Sequence, residues 1–360
     1  MELQDPYLFR HFNSKQYAYS FFGKSNVRTF IYKNGLLDKA KSLHELGELV
    51  LNYLDRKIAQ EWILEGERCD EIYKSKGATF VSYYDPLYPN LLKEIYDPPL
   101  VLFCIGSIEV LKSDFIAIVG TRKASPVSLF ATNQLVHSIF IDSLKNQLNR
   151  DSTCIQQDFF HEVNLKDSLG GKGIVSGMAL GIDREAMATA IDLGLPTLGI
   201  LGTPVYTEYP YSNRSLYAKM KNSKNGLLVS ELLPYDHYAK WTFPMRNRII
   251  TGIAKSVYLM ETPAQSGAMS SANNAIEQNK EIFIFDHPIQ FNNDGGKNLL
   301  EDGANPIQFP DLGIRGNIFH ITELMNQSKY QLYQDLVVQL KLDENSGKAK
   351  NLGGGYYFIF

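Results

Sequence analysis

The chain has 360 residues, of which 44% are hydrophobic and 21% charged, a composition typical of a globular protein with a substantial core. Its net charge of −3 provides no general attraction for nucleic acid, so any such binding would depend on a local group of basic side chains. No apolar run is long enough for a membrane span, the N-terminus lacks a signal-peptide pattern, and Cys69, Cys104 and Cys154 form no CxxC pair. We therefore expect a cytoplasmic protein without a disulfide framework or a metal site.

The two ends of the chain differ from its middle in their residue pattern. Residues 1–80 predict a small helical N-terminal domain of the sterile-alpha-motif kind, with helices over Leu36–Leu54 and Arg56–Lys76. Residues 316–360 predict a short C-terminal helical tail, with a helix near Glu323–Leu340.

Between residues 81 and 315, short apolar runs alternate with helix-like segments. Nearly continuous apolar runs of this length are typical of strands that are buried on both faces of a parallel sheet. Their alternation with helices predicts an α/β fold with a doubly wound, mostly parallel sheet. Helices are expected over Arg184–Leu193, Arg246–Ala254 and Ser270–Gln278. The predicted strands are Phe115–Val119, Gly173–Val175, Thr197–Leu201, Leu227–Val229, Ser256–Met260 and Glu281–Phe285.

A polar stretch at about residues 142–171 interrupts this alternation between the first two predicted strands. The stretch is longer than a crossover helix requires, and it ends in Gly170 and Gly171. We therefore predict an inserted loop at this point.

Turns rich in glycine, serine and threonine follow most of the apolar runs. In open α/β sheets, ligands bind beyond the carboxyl ends of the strands, and turns that open helices there present backbone N–H groups to phosphate. The turns thus predict a phosphate-binding edge. Its candidate residues are Gly120, Arg122, Lys123 and Ser125 after the first strand, Ser176, Gly177 and Gly181 after the second, and Ser266 and Gly267 after the fifth.

Two arginines stand near the start of the helix that we expect to begin around Pro244. In a first turn, Arg246 and Arg248 would oppose the helix dipole at about 0.3–1 kcal/mol each where exposed. A bound anion would offset this cost. Together with Arg122, and with Lys123 in support, they form a predicted positive patch.

Less specific interpretations stay open for the same residues. A glycine-rich turn can be no more than a tight connection, and Arg246 or Arg248 can form a structural ion pair with Glu231 or Glu261. Asp183 has the position of a helix N-cap.

The sequence contains no recognisable catalytic constellation. Ser176 and Ser266 are not in a G-x-S-x-G context, and no histidine pair has metal-ligand spacing, so His287 is interpreted as structural. Arg122 stands where a dinucleotide fingerprint requires its second glycine, and a Walker A motif is absent. We predict no cofactor and no enzymatic activity.

Six motifs between Asp85 and Ala304 resemble, in the same order, those of the DprA/Smf (DNA-processing A) family. They are Asp85–Pro89 with Pro98–Leu102 and Gly106, Val119–Arg122 with Ser125, Val175–Asp183, Phe243–Ile250, Ser266–Ala268, and Gly296–Ala304.

The resemblance implies an extended Rossmann-like domain that binds single-stranded DNA through its phosphates. It also implies a homodimer that loads RecA on this DNA, as in natural transformation. A base-stacking aromatic is expected among Tyr206, Tyr209 and Phe243. The binding residues carried over are Gly120, Arg122, Lys123, Ser125, Ser176, Gly177, Gly181, Arg246, Asn247, Arg248, Ser266 and Gly267.

The sequence also departs from the family pattern. Leu180 replaces a basic residue, Met187 replaces a histidine, and Asp286-His287-Pro288 replaces the V-P-G that follows the last strand in relatives, which adds negative charge. These changes predict weaker or altered DNA binding, and the tail is predicted to be too short for the winged helix of some relatives. Two alternatives are therefore kept. One is a sensor of a nucleotide ligand, and the other is a LOG-like nucleotide phosphoribohydrolase, whose P-G-G-x-G-T-x-x-E motif is missing here.

Overall fold

A nine-stranded sheet is the centre of the computed structural model, which describes residues 19–151, 172–287, 293–313, 316–327 and 332–359. Its strands are β1 (Thr79–Ser82), β2 (Val101–Gly106), β3 (Asp114–Val119), β4 (Lys172–Ser176), β5 (Thr197–Ile200), β6 (Gly226–Ser230), β7 (Ala254–Leu259), β8 (Glu281–Phe285) and β9 (Asn305–Ile307).

The strand order β1-β2-β6-β5-β4-β3-β7-β8-β9 confirms the doubly wound, Rossmann-like α/β fold. From β3 the chain adds β4, β5 and β6 on one side and then crosses to add β7, β8 and β9 on the other. The seven strands from β3 to β9 run parallel to one another, so the order reverses next to β3. The six predicted strands are all present. The sequence did not predict β1 and β2, which form an antiparallel edge beside β6.

From residue 19 onwards, four helices precede the sheet: α1 (Tyr19–Gly23), α2 (Ser25–Lys33), α3 (Leu43–Leu51) and α4 (Arg56–Ser75). The side chains of Ser42 and Asp55 cap α3 and α4 by accepting backbone N–H groups. The long predicted helix before α4 is in fact α3 preceded by a 3₁₀ turn at Leu37–Lys39. Phe21 and Phe22 of α1 and Phe103 of β2 belong to one buried apolar cluster, so these helices cover one face of the sheet.

The helices that connect the strands place the loops of the candidate site. They are α5 (Asn90–Lys93), α6 (Pro126–Asp151), α7 (Ile182–Asp192), α8 (Arg214–Asn222), α9 (Thr242–Ile253), α10 (Gly267–Glu277) and α11 (Asp294–Glu301). Two predictions need correction. Residues 142–151 of the predicted inserted loop continue α6, whereas residues 152–171 lie outside the described part of the chain. Helix α9 begins at Thr242, so Arg246 and Arg248 lie beyond its first turn and do not oppose the helix dipole as predicted.

The C-terminal part is not simply helical, as the sequence had suggested. It contains β10 (Asn317–His320), α12 (Ile321–Gln327), α13 (Tyr333–Asn345), β11 (Ala349–Gly353) and β12 (Tyr356–Ile359), with the strand order β10-β12-β11. This is the strand-helix-helix-strand-strand connectivity of a winged helix, for which we had predicted the tail to be too short. Phe358 of β12 packs 5.5 Å from the Phe130 ring of α6 and so attaches this unit to the main sheet. No helix in the described ranges is long and apolar enough to cross a membrane.

Candidate nucleic-acid interface

A cavity of about 560 Å³ opens at the carboxyl ends of β3 and β7, where the strand order reverses. This is the position at which open α/β sheets bind their ligands. The turn after β3 contributes Gly120 and Thr121 to its lining, and the N-terminus of α10 contributes Gly267. A smaller pocket of about 100 Å³ adjoins it and is lined in part by Gly177 and Leu180.

Three exposed cations line the large cavity: Arg122, Lys123 and Lys240. Among the described residues, no carboxylate lies within ion-pair distance of any of them. The guanidinium of Arg122 lies 5.6 Å from the centre of the Phe243 ring. The cavity is therefore locally positive although the chain as a whole is acidic.

Arg246 contributes to the cavity as a buried structural cation. Its Nη1 donates to the carbonyl of Gly177 at 2.7 Å and to that of Ile200, and its Nε donates to Asn247 at 2.9 Å. These bonds tie together the ends of β4 and β5. The pKa of Arg246 falls to about 10, chiefly because of burial and in smaller part because of the nearby charge of Arg122, whereas Asp183 opposes the shift. The guanidinium groups of Arg246 and Arg122 thus repel each other at the cavity, and a bound anion would relieve this repulsion.

Asp183 holds the loop between β4 and α7. Its carboxylate accepts the backbone N–H groups of Gly177 at 3.1 Å and Ala179 at 3.4 Å, so it organises the loop and does not cap α7 as predicted. Burial raises the pKa of Asp183, although Arg246 opposes this. The buried Asn213 completes the arrangement, because its Nδ2 donates to the Met178 carbonyl at 2.9 Å.

Arg248 does not belong to the predicted positive patch. Its guanidinium forms a bidentate pair with Glu231, with both N···O distances 2.7 Å, and lies 3.4 Å from Asp97. Arg28 of α2 binds the same Glu231 carboxylate at 2.5 Å. For Arg248, the alternative of a structural ion pair with Glu231 is therefore correct. The ion cluster of Arg28, Asp97, Glu231 and Arg248 connects the N-terminal helices to the sheet.

Three other predicted residues lie beside the cavity and do not line it. Ser176 is fully buried and donates to the Ile118 carbonyl at 2.6 Å. Gly181 has a φ of +73°, and a Cβ there would lie 2.3 Å from the Thr121 carbonyl, so the turn requires glycine. The N–H of Ser125 donates to the Glu261 carboxylate at 2.8 Å, and its Oγ lies 3.0 Å from Nε2 of the buried His287.

Glu261 has a different role from the one considered for it in the sequence. It was one possible ion-pair partner of Arg246 or Arg248, yet its carboxylate binds the Ser125 backbone instead. Its main-chain carbonyl also accepts the N–H of Thr121 at 2.9 Å. Glu261 thus joins the end of β7 to the turn after β3, directly beneath the cavity.

A row of aromatic side chains leads away from Arg122. The ring centres of Phe243 and Tyr209 are 5.3 Å apart, and those of Tyr209 and Tyr238 are 6.1 Å apart. Tyr209 and Tyr238 are 43% and 44% exposed, so solvent reaches both rings. Tyr206, the third aromatic considered, packs into the core against Tyr73.

Part of the predicted site comes together in the structure. Gly120, Arg122, Lys123, Arg246, Asn247, Ser266 and Gly267 line the large cavity, and Gly177 lines the adjoining pocket. The sequence prediction missed Lys240, Tyr238 and Asn213. Lys240 and Tyr238 are in a polar and aromatic loop that no motif marks, although their position before the Phe243 motif was a usable signal.

The fold and the cavity define a Rossmann-like protein with a locally cationic cavity at its topological switch point. The family model described as DNA recombination-mediator protein A matches residues 79–144 and 149–313. Because this match covers well over half of the chain, the protein belongs to that family, in agreement with the resemblance seen in the sequence.

Individual relatives agree with this assignment. The chain is 31% identical to DNA processing protein DprA of Streptococcus pneumoniae over 224 residues, which are 62% of this chain and 68% of the relative. It is 32% identical to DprA of Bacillus subtilis over 237 residues, 65% of this chain and 70% of the relative.

Solved structures show the same fold. The X-ray structure of S. pneumoniae DprA matches with a TM-score of 0.60 and 24% identity, over 82% of this chain and 94% of that one. A structure of Helicobacter pylori DprA, reported for its single-stranded DNA binding mode, matches with a TM-score of 0.52 and 24% identity over 66% of this chain and 92% of that one.

Proposed function

We propose that this protein binds single-stranded DNA through backbone phosphates in the switch-point cavity and loads RecA on that DNA, as in natural transformation. The single observation that carries the proposal is Arg122, an exposed guanidinium without a carboxylate partner among the described residues, at the edge of a cavity lined by turn backbone. Membership of the recombination-mediator family supports it, as does the single-stranded DNA binding of the H. pylori relative.

In the proposed complex the cations and the backbone act together on the phosphates. Arg122, Lys123 and Lys240 supply charge, and the N-terminus of α10 at Gly267 supplies N–H groups and the positive end of a helix dipole. Contacts of this kind hold the strand without reading its sequence, and their strength falls as salt rises.

The aromatic row supplies a surface for the bases. Tyr209 and Tyr238 are half exposed and follow Phe243 away from the phosphate site. Stacking of a base on an aromatic ring contributes about 1–3 kcal/mol and tolerates any base, which suits a protein that accepts DNA of any sequence.

The proposed role requires no covalent step, cofactor or metal, and we expect the protein to be non-catalytic. We also expect a homodimer in the cytoplasm, where single-stranded DNA and RecA meet. The alternative ligand is a mononucleotide, and the adjoining pocket of about 100 Å³ beside Phe243 and Gly177 is the feature that favours it.

A salt titration of oligonucleotide binding, followed by fluorescence anisotropy, tests the proposal. We expect a steep salt dependence for the wild type, and Arg122→Gln should lower both the affinity and the slope, by about 0.7 in slope for each lost phosphate contact. Arg214→Gln is the matched control. Arg214 is also exposed and stacks on a tyrosine, Tyr211, but it lies outside the cavity.

The two variants separate the outcomes. Equal losses in Arg122→Gln and Arg214→Gln would mean that DNA follows surface charge in general and not the cavity. If the wild type binds no oligonucleotide at low salt but binds a mononucleotide, the alternative ligand is correct. Loading of RecA is measured separately, as ATP hydrolysis by RecA on DNA covered with single-strand-binding protein. The wild type should accelerate this hydrolysis and Arg122→Gln should not.

A further inference from the structure

The ring of Tyr209 lies in the aromatic row with little to hold its side chain. It is 43% exposed and contacts Phe243 and Tyr238 at ring-centre distances of 5.3 and 6.1 Å. Among the described residues, no hydrogen bond to the Tyr209 hydroxyl fixes the ring. Ordering a mobile side chain costs entropy, so a ring on which bases stack benefits from a backbone that is already fixed.

The backbone of Tyr209 is held by one buried hydroxyl from helix α8. The Oη of Tyr217 donates to the Tyr209 carbonyl at 2.8 Å and accepts the Tyr209 N–H at 3.3 Å. Tyr217 is fully buried, and Leu216 and Met220 of the same helix are buried in the same apolar cluster. Burial raises the pKa of Tyr217 to about 12, so its hydroxyl keeps the proton that it donates.

The residues on both sides of Tyr209 are also fastened. Before it, Glu208 pairs with Lys221 of α8 at 2.8 Å, and Lys221 is four residues after Tyr217, on the same face of the helix. After it, the Nδ2 of the buried Asn213 donates to the carbonyls of Met178 at 2.9 Å and Ala179 at 3.2 Å. Residues 208–213 are therefore attached to α8 on one side and to the loop after β4 on the other.

We propose that Tyr217 is a positioning residue for base stacking, whose hydroxyl fixes the ring of Tyr209 in the aromatic row without touching DNA. The role rests on the proposed binding of single-stranded DNA in the cavity. Tyr217 lines neither the large cavity nor the adjoining pocket, so a strand bound there does not contact it. The effect of the hydroxyl on DNA therefore passes through the backbone of Tyr209.

Tyr217→Phe tests the role, because it removes the hydroxyl and keeps the buried ring. We expect the affinity for a single-stranded oligonucleotide, measured by fluorescence anisotropy, to fall about 3- to 10-fold, the net value of a hydrogen bond. The salt slope should stay unchanged, since no charged contact is lost.

Tyr88→Phe is the matched control. Tyr88 is also buried, and its hydroxyl donates to the Pro99 carbonyl at 2.7 Å, but it lies outside the cavity and the adjoining pocket. Urea unfolding should show a loss of stability in both variants, whereas only Tyr217→Phe should bind the oligonucleotide more weakly.

A double-mutant cycle with Tyr209→Ala separates positioning from general support of the fold. Without the Tyr209 ring there is nothing for Tyr217 to position. In that background Tyr217→Phe should therefore change the affinity by less than about two-fold. A hydroxyl that only stabilised the cavity would weaken binding to the same extent with or without the ring.

Three outcomes would count against the positioning role, and they differ in what else they affect. If the wild type binds the oligonucleotide and Tyr217→Phe binds like Tyr88→Phe, the positioning role is wrong and the proposed DNA site stands. Equal effects of Tyr217→Phe in the wild-type and Tyr209→Ala backgrounds lead to the same conclusion. Failure of the wild type to bind any oligonucleotide would overturn the proposed function, and the positioning role with it.

Discussion

The guanidinium of Arg246 occupies the space that a side chain at Gly177 would need. Nη1 lies 2.7 Å from the Gly177 carbonyl oxygen, and a Cβ at position 177 would lie 2.1 Å from Nη2. Glycine is therefore required at the end of β4, for a reason that concerns packing and not backbone conformation. Arginine and glycine here form one structural unit, on which the wall of the cavity depends.

Gly177→Ala should destabilise the protein by about 1–3 kcal/mol, the usual cost of overpacking a tight interior. Gly267→Ala is the matched control. Gly267 lines the same cavity, but a Cβ there meets nothing within 4 Å. Urea unfolding of both variants measures the difference, and an equal midpoint for the two would show that the arginine moves aside without cost.

Arg246→Met should cost about 1–3 kcal/mol, because it leaves the buried carbonyls of Gly177 and Ile200 without the guanidinium that donates to them. Adding Asp183→Asn to this variant should recover part of the loss, with a coupling of about 0.5–3 kcal/mol in a double-mutant cycle from urea unfolding. Strict additivity of the two changes would contradict an electrostatic interaction between Arg246 and Asp183.

The carboxylate of Glu231 should make folding sensitive to acid. Burial by itself raises its pKa, but Arg248 and Arg28 outweigh burial and hold the pKa below its ordinary value of 4.5. As pH falls below 4.5, the unfolded chain takes up the proton first, so the stability from this group is lost as pH falls through the folded pKa. Glu231→Gln should flatten this part of the stability profile. Glu109→Gln, which breaks an exposed pair with Lys112, should leave it unchanged.

The contributions of base stacking and of positive charge to DNA binding should be distinguishable by mutation. Tyr209→Ala should weaken oligonucleotide binding by about 1–3 kcal/mol with an unchanged salt slope, because it removes a ring and no charge. Lys240→Gln should lower the slope by about 0.7. Tyr211→Ala is the control, since Tyr211 is 68% exposed but lies outside the cavity. A change of slope in Tyr209→Ala would place its ring in another role.

The sequence predicted the parallel strands well because each is a nearly continuous apolar run. It missed β2, although residues Val101–Gly106 are equally apolar, because Pro98 and Pro99 shortly before this strand are typical of a loop. It missed β11 because Ala349–Gly353 is rich in lysine and glycine and becomes a strand through its pairing with β12.

The site was predicted where it depends on local turns and misjudged where it depends on distant partners. Arg122 follows β3 directly, so topology alone places it at the cavity. Arg248 looks the same in the sequence, but its partners Glu231 and Asp97 come from remote segments. The residues next to Arg248 in the sequence do not show whether its side chain binds a phosphate or forms ion pairs within the protein.

The ion cluster of Arg28, Asp97, Glu231 and Arg248 has a consequence for how the family can change over evolution. Loss of one member leaves a buried charge uncompensated, so single substitutions at these positions are costly. Replacing an arginine and a carboxylate of the cluster together costs much less stability, because no uncompensated charge remains. The four positions should therefore covary in an alignment of relatives that retain the N-terminal helices. Relatives without these helices should carry a different, less acidic residue at the position of Glu231.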